Sequence, residues 1–250
     1  MRVFRATFLA ESRGYYRLPE ALIFGLVVPI VIMLVLSLFN IHVSGANGQS
    51  RSYIDLLLPG MIAFTAVNMG LQSVVFGVAR YKERGLLRRI KASPASALAF
   101  LNGLAASRLL GVVLGAVITI AAGRYLFGAH LAGSVLGIVG LTALSAPALI
   151  AIGLAIVGLT KSEDQAAPMM FLFVIPMLLF SGIFVPRTGL NHIVAWVTYG
   201  LPLTYLVDAL QRVAFLGQGF SRALWTDIAG MAVWAVIATA IATRTWRWEP

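Results

Sequence analysis

Six stretches of roughly 20 apolar residues recur along this chain, each too long and too free of charge to be one element of a soluble core. They run approximately from Ala21 to Phe39, Leu56 to Ala79, Leu104 to Gly123, Ser134 to Thr160, Ala166 to Val185 and Trp225 to Thr243. A bilayer core about 30 Å thick takes about 20 helical residues to cross, and no backbone polar group can go unpaired in hydrocarbon. The composition agrees, with 60% hydrophobic and 11% charged residues in a chain of 250. The expected fold is all-α and integral to the membrane, a single domain over 1–250 with six transmembrane helices, no internal repeat and no soluble domain. Pro29, Pro147 and Pro176 fall inside three of the spans, where proline removes a backbone hydrogen bond and kinks the helix. The first twenty residues lack the apolar core of a cleavable signal peptide.

A net charge of +10 on a soluble face would suggest nucleic acid, but here the basic residues sit at the ends of apolar segments, so no nucleic acid is expected. Arg2, Arg5, Arg13 and Arg17 precede the first span, six basic residues lie in loop 80–94, Lys161 lies in the next loop on that side, and Arg244 and Arg247 follow the last span. The opposite side carries only Arg51, Arg124, Arg187, Arg212 and Arg222. Arg108 is left over near the end of the third span, where its long stem is expected to snorkel to the interface. The positive-inside rule then puts both termini in the cytoplasm of a multi-pass protein of the cell (inner, cytoplasmic) membrane.

Catalysis needs positioned titratable groups, and these are scarce. All nine acids lie in loops or at span ends, which counts against an ion-coupled secondary carrier, since such carriers keep an ionisable residue deep in the bundle. His42, His130 and His192 lack metal-ligand spacing, and there is no cysteine, so neither a metal site nor thiol chemistry is expected. GLAIVGLTKS at 153–162 imitates a phosphate-binding loop, but its second glycine is not followed by lysine and it ends a span. The chain is therefore read as non-catalytic, and any ATP it uses is bound by another chain.

Polar residues within spans are few. Thr65, Asn68, Gln72 and Ser73 form a stripe on the second span, readable either as interhelical hydrogen bonding or as the lining of a path. A path built from Phe64, Phe171, Phe173, Phe180 and Met residues would suit an apolar cargo, but such residues more often serve plain packing or lipid contact. On the opposite side from loop 80–94, residues 40–55 read as a polar loop. The longer segment 186–224 contains PLTYLVDALQRVAFL, with Leu203, Leu206, Val207, Leu210 and Val213 at helical spacing and Asp208 and Arg212 at i, i+4 on the other face. It is expected to form a re-entrant or interface-lying helix.

The charge is most concentrated in RYKERGLLRRIKASP, residues 80–94. Arg80, Arg84, Arg88 and Lys91 recur at helical spacing as a basic stripe, while Leu86, Leu87 and Ile90 form a short apolar patch with Glu83 on its side. Gly85 suits the end of the helix leaving the membrane, and Pro94 stops the short helix that follows. A lipid anchor explains the charge alone. The apolar patch suits a protein groove.

Glu83-Arg84-Gly85-Leu86-Leu87 followed by Ser93-Pro94 resembles the cytoplasmic loop of ABC-2 type transporter permeases, the group with daunorubicin-resistance and nodulation-factor exporters. SGIFVP at 181–186 followed by PLTYLVDALQR at 202–212 resembles that family's C-terminal signature. Where the family often has threonine after the glycine, this chain has Leu86. The resemblance spans essentially the whole chain and implies a six-span permease that pairs with a second copy or a related permease above two ATPase subunits, which bind ATP and Mg2+. It implies an N-terminal interface helix over 1–20, with Val3, Phe4 and Phe8 opposite Arg2, Arg5 and Arg13. It implies a coupling helix in 80–94 that contacts the ATPase through Glu83, Arg84, Gly85, Leu86, Leu87, Arg88, Ile90 and Pro94. External gate helices over 186–224 would use Pro186, Pro202, Tyr205, Asp208 and Arg212. A translocation path between the two permeases, lined by the second and fifth spans, would include Phe64, Asn68, Gln72, Phe173 and Phe180. The expected function is export of an amphipathic, lipid-like or drug-like molecule. The alternatives are polysaccharide or glycolipid export by the same class of protein, and ion-coupled carriage.

Overall fold

The apolar stretches become helices whose ends mostly reach a few residues past the expected limits. A computed structural model of the protein describes residues 2–16, 23–39, 42–44, 50–91, 97–183, 198–219 and 221–245. Helix α1 spans Arg2–Tyr16 and α2 spans Ile23–Ser37. A hairpin follows, β1 His42–Ser44 antiparallel to β2 Ser50–Ser52 with Val43 opposite Arg51, so the loop expected at 40–55 contains the one departure from an all-helical fold among the described residues. Helix α3 spans Tyr53–Glu83, the short α4 Leu86–Lys91, α5 Ala97–Leu126, α6 Val135–Leu159 and α7 Glu163–Phe180. Helix α8 begins as Pro202–Leu210 and continues as a π-helical turn, Gln211–Phe215, and α9 spans Arg222–Thr245.

Five of these, α3, α5, α6, α7 and α9, are long and apolar enough to cross a membrane. The sixth expected span is represented by α2, which is apolar but has only 15 described helical residues, about 22 Å at the usual rise per residue. Its first turn, Ile23–Val27, is π-helical, and Pro29 stands at the start of the α-helical part. Proline has no N–H to donate, so the wider turn meets it where a regular ladder would have had a gap.

Helix α3 is the axis of the bundle, packed by α2, α5, α6 and α8. Its membrane-length stretch is apolar around most of its circumference apart from the Thr65–Ser73 stripe, and a helix of that pattern must be surrounded. Leu58, Ile62, Ala66, Leu71, Val75 and Val78, taken from all sides of it, are completely buried. Close packing relies on small residues: a Cβ added to Gly153 of α6 would lie 2.9 Å from the Leu71 carbonyl oxygen of α3. Helices α7 and α9 are peripheral and expose apolar faces, with Leu172 at 72% and Val236 at 69%, as spans in contact with hydrocarbon do.

Three expectations change. Arg108 does not snorkel to an interface. It is buried, and its Nη2 meets Glu11 Oε2 of α1 at 2.8 Å, because α1 lies along the first half of α5 and brings an acid to it. Of the two forms expected for α8, re-entrant or interface-lying, the second changes: Leu203, Leu206, Val207 and Leu210 are buried against α3, α6, α7 and α9 and are not laid on a surface. And Arg212 reaches Asp227 of α9 at 2.9 Å, in place of the expected Asp208.

Candidate functional site

The chain's charge gathers where α3 leaves the bundle. Helix α3 ends at Glu83, and Gly85 takes φ +67°, the left-handed conformation that glycine adopts without a Cβ penalty and that commonly closes helices. The Arg84 N–H donates to the Arg80 carbonyl at 3.1 Å and the Gly85 N–H to the Lys82 carbonyl at 3.1 Å, satisfying carbonyls that the helix end would otherwise orphan. Helix α4 then starts at Leu86.

Its two leucines separate. Leu87 is buried in the apolar core of the chain itself, at 1% exposure, whereas Leu86 is 36% exposed beside the exposed Arg84 and Arg89. Ile90 is half-buried against the core. Leu87 therefore roots the loop, and Leu86 is the apolar group it offers outward. Glu83 is exposed as well. Pro94 and the side chain of Arg88 lie outside the described residues.

The last turn of α3 is tied into its neighbours. Arg80 Nη2 meets Glu163 Oε1 of α7 at 3.0 Å, and its Nε donates to the other carboxylate oxygen at 3.4 Å. Lys82 is buried and its ammonium donates to the carbonyls of Val157, at 3.2 Å, and Thr160, at 2.5 Å, where α6 ends. A cation at a helix C-terminus satisfies orphan carbonyls and is favoured by the helix dipole. Glu83 Oε2 accepts the Glu163 N–H, at 3.4 Å, in the first turn of α7. The Tyr81 hydroxyl donates to Glu11 Oε1 at 2.6 Å, which makes Glu11 the shared acceptor of Tyr81 and Arg108, and Ser12 donates to Ser107 alongside.

The sequence reading treated Lys82 only as part of a charge count and left Glu11 unpartnered. One signal was available: an arginine stranded within a span almost always has a partner in the fold, and the leftover Arg108 called for an acid.

At the far end of the bundle, α8 is held by mostly neutral groups. Pro202 occupies its first turn, the Thr204 hydroxyl donates to the Thr198 carbonyl at 2.6 Å, Tyr205 to the Tyr199 carbonyl at 2.8 Å and Gln211 to the Gly182 carbonyl at 3.1 Å. Asp208 is half-buried, and Pro186 lies outside the described residues. Along α3, Thr65 shares a 3.0 Å hydrogen bond with Thr119 of α5, while Asn68 donates to its own helix at Phe64 and Ser73 to Met69. Asn68 and Gln72 fall on a second π-helical segment, Val67–Gln72. Phe64 and Gln72 are half-buried; Phe173 and Phe180 are exposed on α7. Phe64, Asn68 and Gln72 thus belong to α3, and Phe173 and Phe180 to the exposed face of α7.

A cavity of about 520 Å³ does open between the first half of α5, the second half of α6 and the end of α9, at the level of the bundle nearest α4. Leu101, Ala105, Pro147, Ala151, Leu154 and Ala242 line it, with Asn102, Thr239 and Thr243 as its polar groups. The hollow exists because alanines and a proline face one another where larger residues would close it. Its volume falls in the range of ligand sites, about 300–1,000 Å³.

A comparison with curated proteins finds no match. The profile of the ABC-2 type transporter family matches residues 2–215, from the start of α1 to the end of α8. That match covers α4, the ties from the end of α3 to α1, α6 and α7, and the short helix at the far end, and it identifies this multi-pass membrane chain as a member of the ABC-2 type transporter family, a family of non-catalytic membrane subunits of ABC transporters.

Proposed function

We propose that this chain is the permease subunit of an ATP-driven exporter, paired with a second copy or a related permease above two cytoplasmic ATPase subunits that bind ATP and Mg2+. It resides in the inner membrane with both termini in the cytoplasm, and α2 completes a set of six spans. Family membership supports the class, and the observation that carries the coupling assignment is the shape of loop 84–91. Around a short helix rooted by Leu87, Arg84 and Leu86 are exposed, an apolar and basic surface at the end of the most buried span. A lipid anchor would not need the rooted leucine.

The cargo in this reading is amphipathic, lipid-like or drug-like. Support comes from the apolar cavity on the α4 side of the bundle, which an acyl chain or ring system could enter from the inner leaflet. Helix α8, braced by Arg212 and Asp227, acts as the gate at the far end.

Co-purification tests the class. Tagged permease extracted in mild detergent is expected to bring down a soluble chain carrying a phosphate-binding loop, and Leu86→Asp is expected to reduce the recovered amount several-fold while the permease itself remains monodisperse. Recovery of the permease alone from cells that express the neighbouring ATPase would sink the reading. Direction is then read in inside-out vesicles, where a fluorescent short-chain phospholipid should move into the lumen only with ATP.

A further inference from the structure

Four consecutive side chains at the end of α3 reach three different helices. Arg80 goes to Glu163 of α7, Tyr81 to Glu11 of α1, Lys82 to the end of α6 and Glu83 to the first turn of α7. Successive residues of a helix point about 100° apart, so one turn can address neighbours on every side. Here each residue of the turn finds a polar partner, two residues before the turn into α4.

Lys82 differs from the other basic residues around it. Arg84 and Arg89 are exposed, as charges that merely mark the cytoplasmic side would be. Lys82 is 6% exposed, and both of its described acceptors are carbonyls at the end of α6. Burying an ammonium is expensive unless it is fully coordinated, so a lysine serving only as an anchor would snorkel outward. Helix α6 continues within three residues into α7, whose first residue is already held by Arg80 and Glu83.

We infer that Lys82 is a positioning residue that fastens the α6–α7 turn to the coupling loop, so that α4, the end of α3 and the α6–α7 turn move as one body. This rests on the permease reading above. When an ATPase displaces α4, the displacement is delivered through Lys82 to α6 and α7 as well as through the covalent path along α3. Without Lys82 the loop still binds its partner, but α6 and α7 no longer follow.

The chain has no cysteine, so introduced pairs can be spin-labelled cleanly before assembly with the ATPase in lipid nanodiscs. Two pairs suffice. Arg89→Cys with Lys161→Cys spans the loop and the α6–α7 turn; Leu126→Cys with Lys161→Cys spans the length of the bundle, and all three positions are exposed. Trapping with ATP and vanadate should leave the 89–161 distance unchanged and shift the 126–161 distance. In Lys82→Met the 126–161 shift should be lost and a shift at 89–161 should appear, with ATPase recovery unchanged; Lys82→Arg, which keeps the cation, should behave like the parent. A parent complex in which 89–161 changes on trapping, a parent complex in which 126–161 fails to respond, or a Lys82→Met complex indistinguishable from the parent would each overturn the inference. Absence of any ATPase in the parent preparation is a different failure, which removes the permease reading itself.

Discussion

The two ends of the bundle are built from different kinds of bond. At the α4 end the ties run between long helices through charged groups: Arg80 to Glu163, Arg108 to Glu11, and Lys82 to the carbonyls that end α6. At the far end most ties run from neutral side chains to backbone carbonyls around α8, with Arg212–Asp227 as a charged pair beside them. Neutral bonds to backbone fix one helix in one pose. Charged groups between helix ends can exchange partners for water or another protein at modest cost, provided they are not all buried. At the α4 end Arg80–Glu163 is part-exposed while Arg108–Glu11 and Lys82 are buried, so in the proposed function it is the first of these that can yield to a partner.

The largest effect should come from breaking the buried part of the charged end. Glu11→Ala leaves Arg108 buried without its carboxylate, and losing one member of such a pair costs about 3–5 kcal/mol. Thermal unfolding in detergent should show a large loss of stability, and the Glu11→Ala, Arg108→Met double variant should recover much of it. A Glu11→Ala protein as stable as the parent would mean the pair is not formed in the membrane.

Next in size is the contrast between neighbouring leucines. Leu87→Ala removes a fully buried side chain and should cost about 2–5 kcal/mol, whereas Leu86→Ala should change stability by no more than about 0.5 kcal/mol. ATPase recovery should respond the other way round, with Leu86→Ala lowering it in protein of parental stability. Equal stability effects at both positions would erase the distinction between a root and a contact.

At the far end, Asp227→Asn should be milder. Arg212 is about one-third exposed, 32% for its side chain, so solvent screens the pair and the expected cost is about 1 kcal/mol or less. Export should suffer more than stability if α8 gates the path. The measurement is ATPase activity beside transport of the same phospholipid probe; a parallel fall in both would assign Asp227 to folding alone.

How much of this was legible in sequence depended on the length scale of the signal. Spans were legible because about 20 apolar residues in a row admit few other folds, and Gly85 marked the end of α3 because only a few residues tolerate a positive φ. The Glu11–Arg108 pair was not, since its members are 97 residues apart and nothing local joins them. Lys82 was misread because a basic residue near a span end looks the same whether it anchors, caps or binds. Which of Leu86 and Leu87 faces inward could not be settled by periodicity, since α4 has six residues, less than two turns. The π-helical turns at Val67–Gln72 and Gln211–Phe215 carry no composition of their own.

The smallest prediction bears on whether the polar stripe of α3 belongs to either end's logic. Thr65 and Thr119 share a 3.0 Å bond between α3 and α5, fully buried and far from any charge. Hydrogen bonds between membrane helices are worth about 0.6 kcal/mol on average, because the separated helices find other acceptors. Thr65→Val and Thr119→Val should therefore each cost about that much, and the double variant should cost little more than either alone, since the second change removes a group already unpartnered. Strict additivity would mean that the two hydroxyls do not share a proton. A fall in transport without loss of stability would instead move Thr65, one turn from Asn68, from the packing of α3 to the lining of the path.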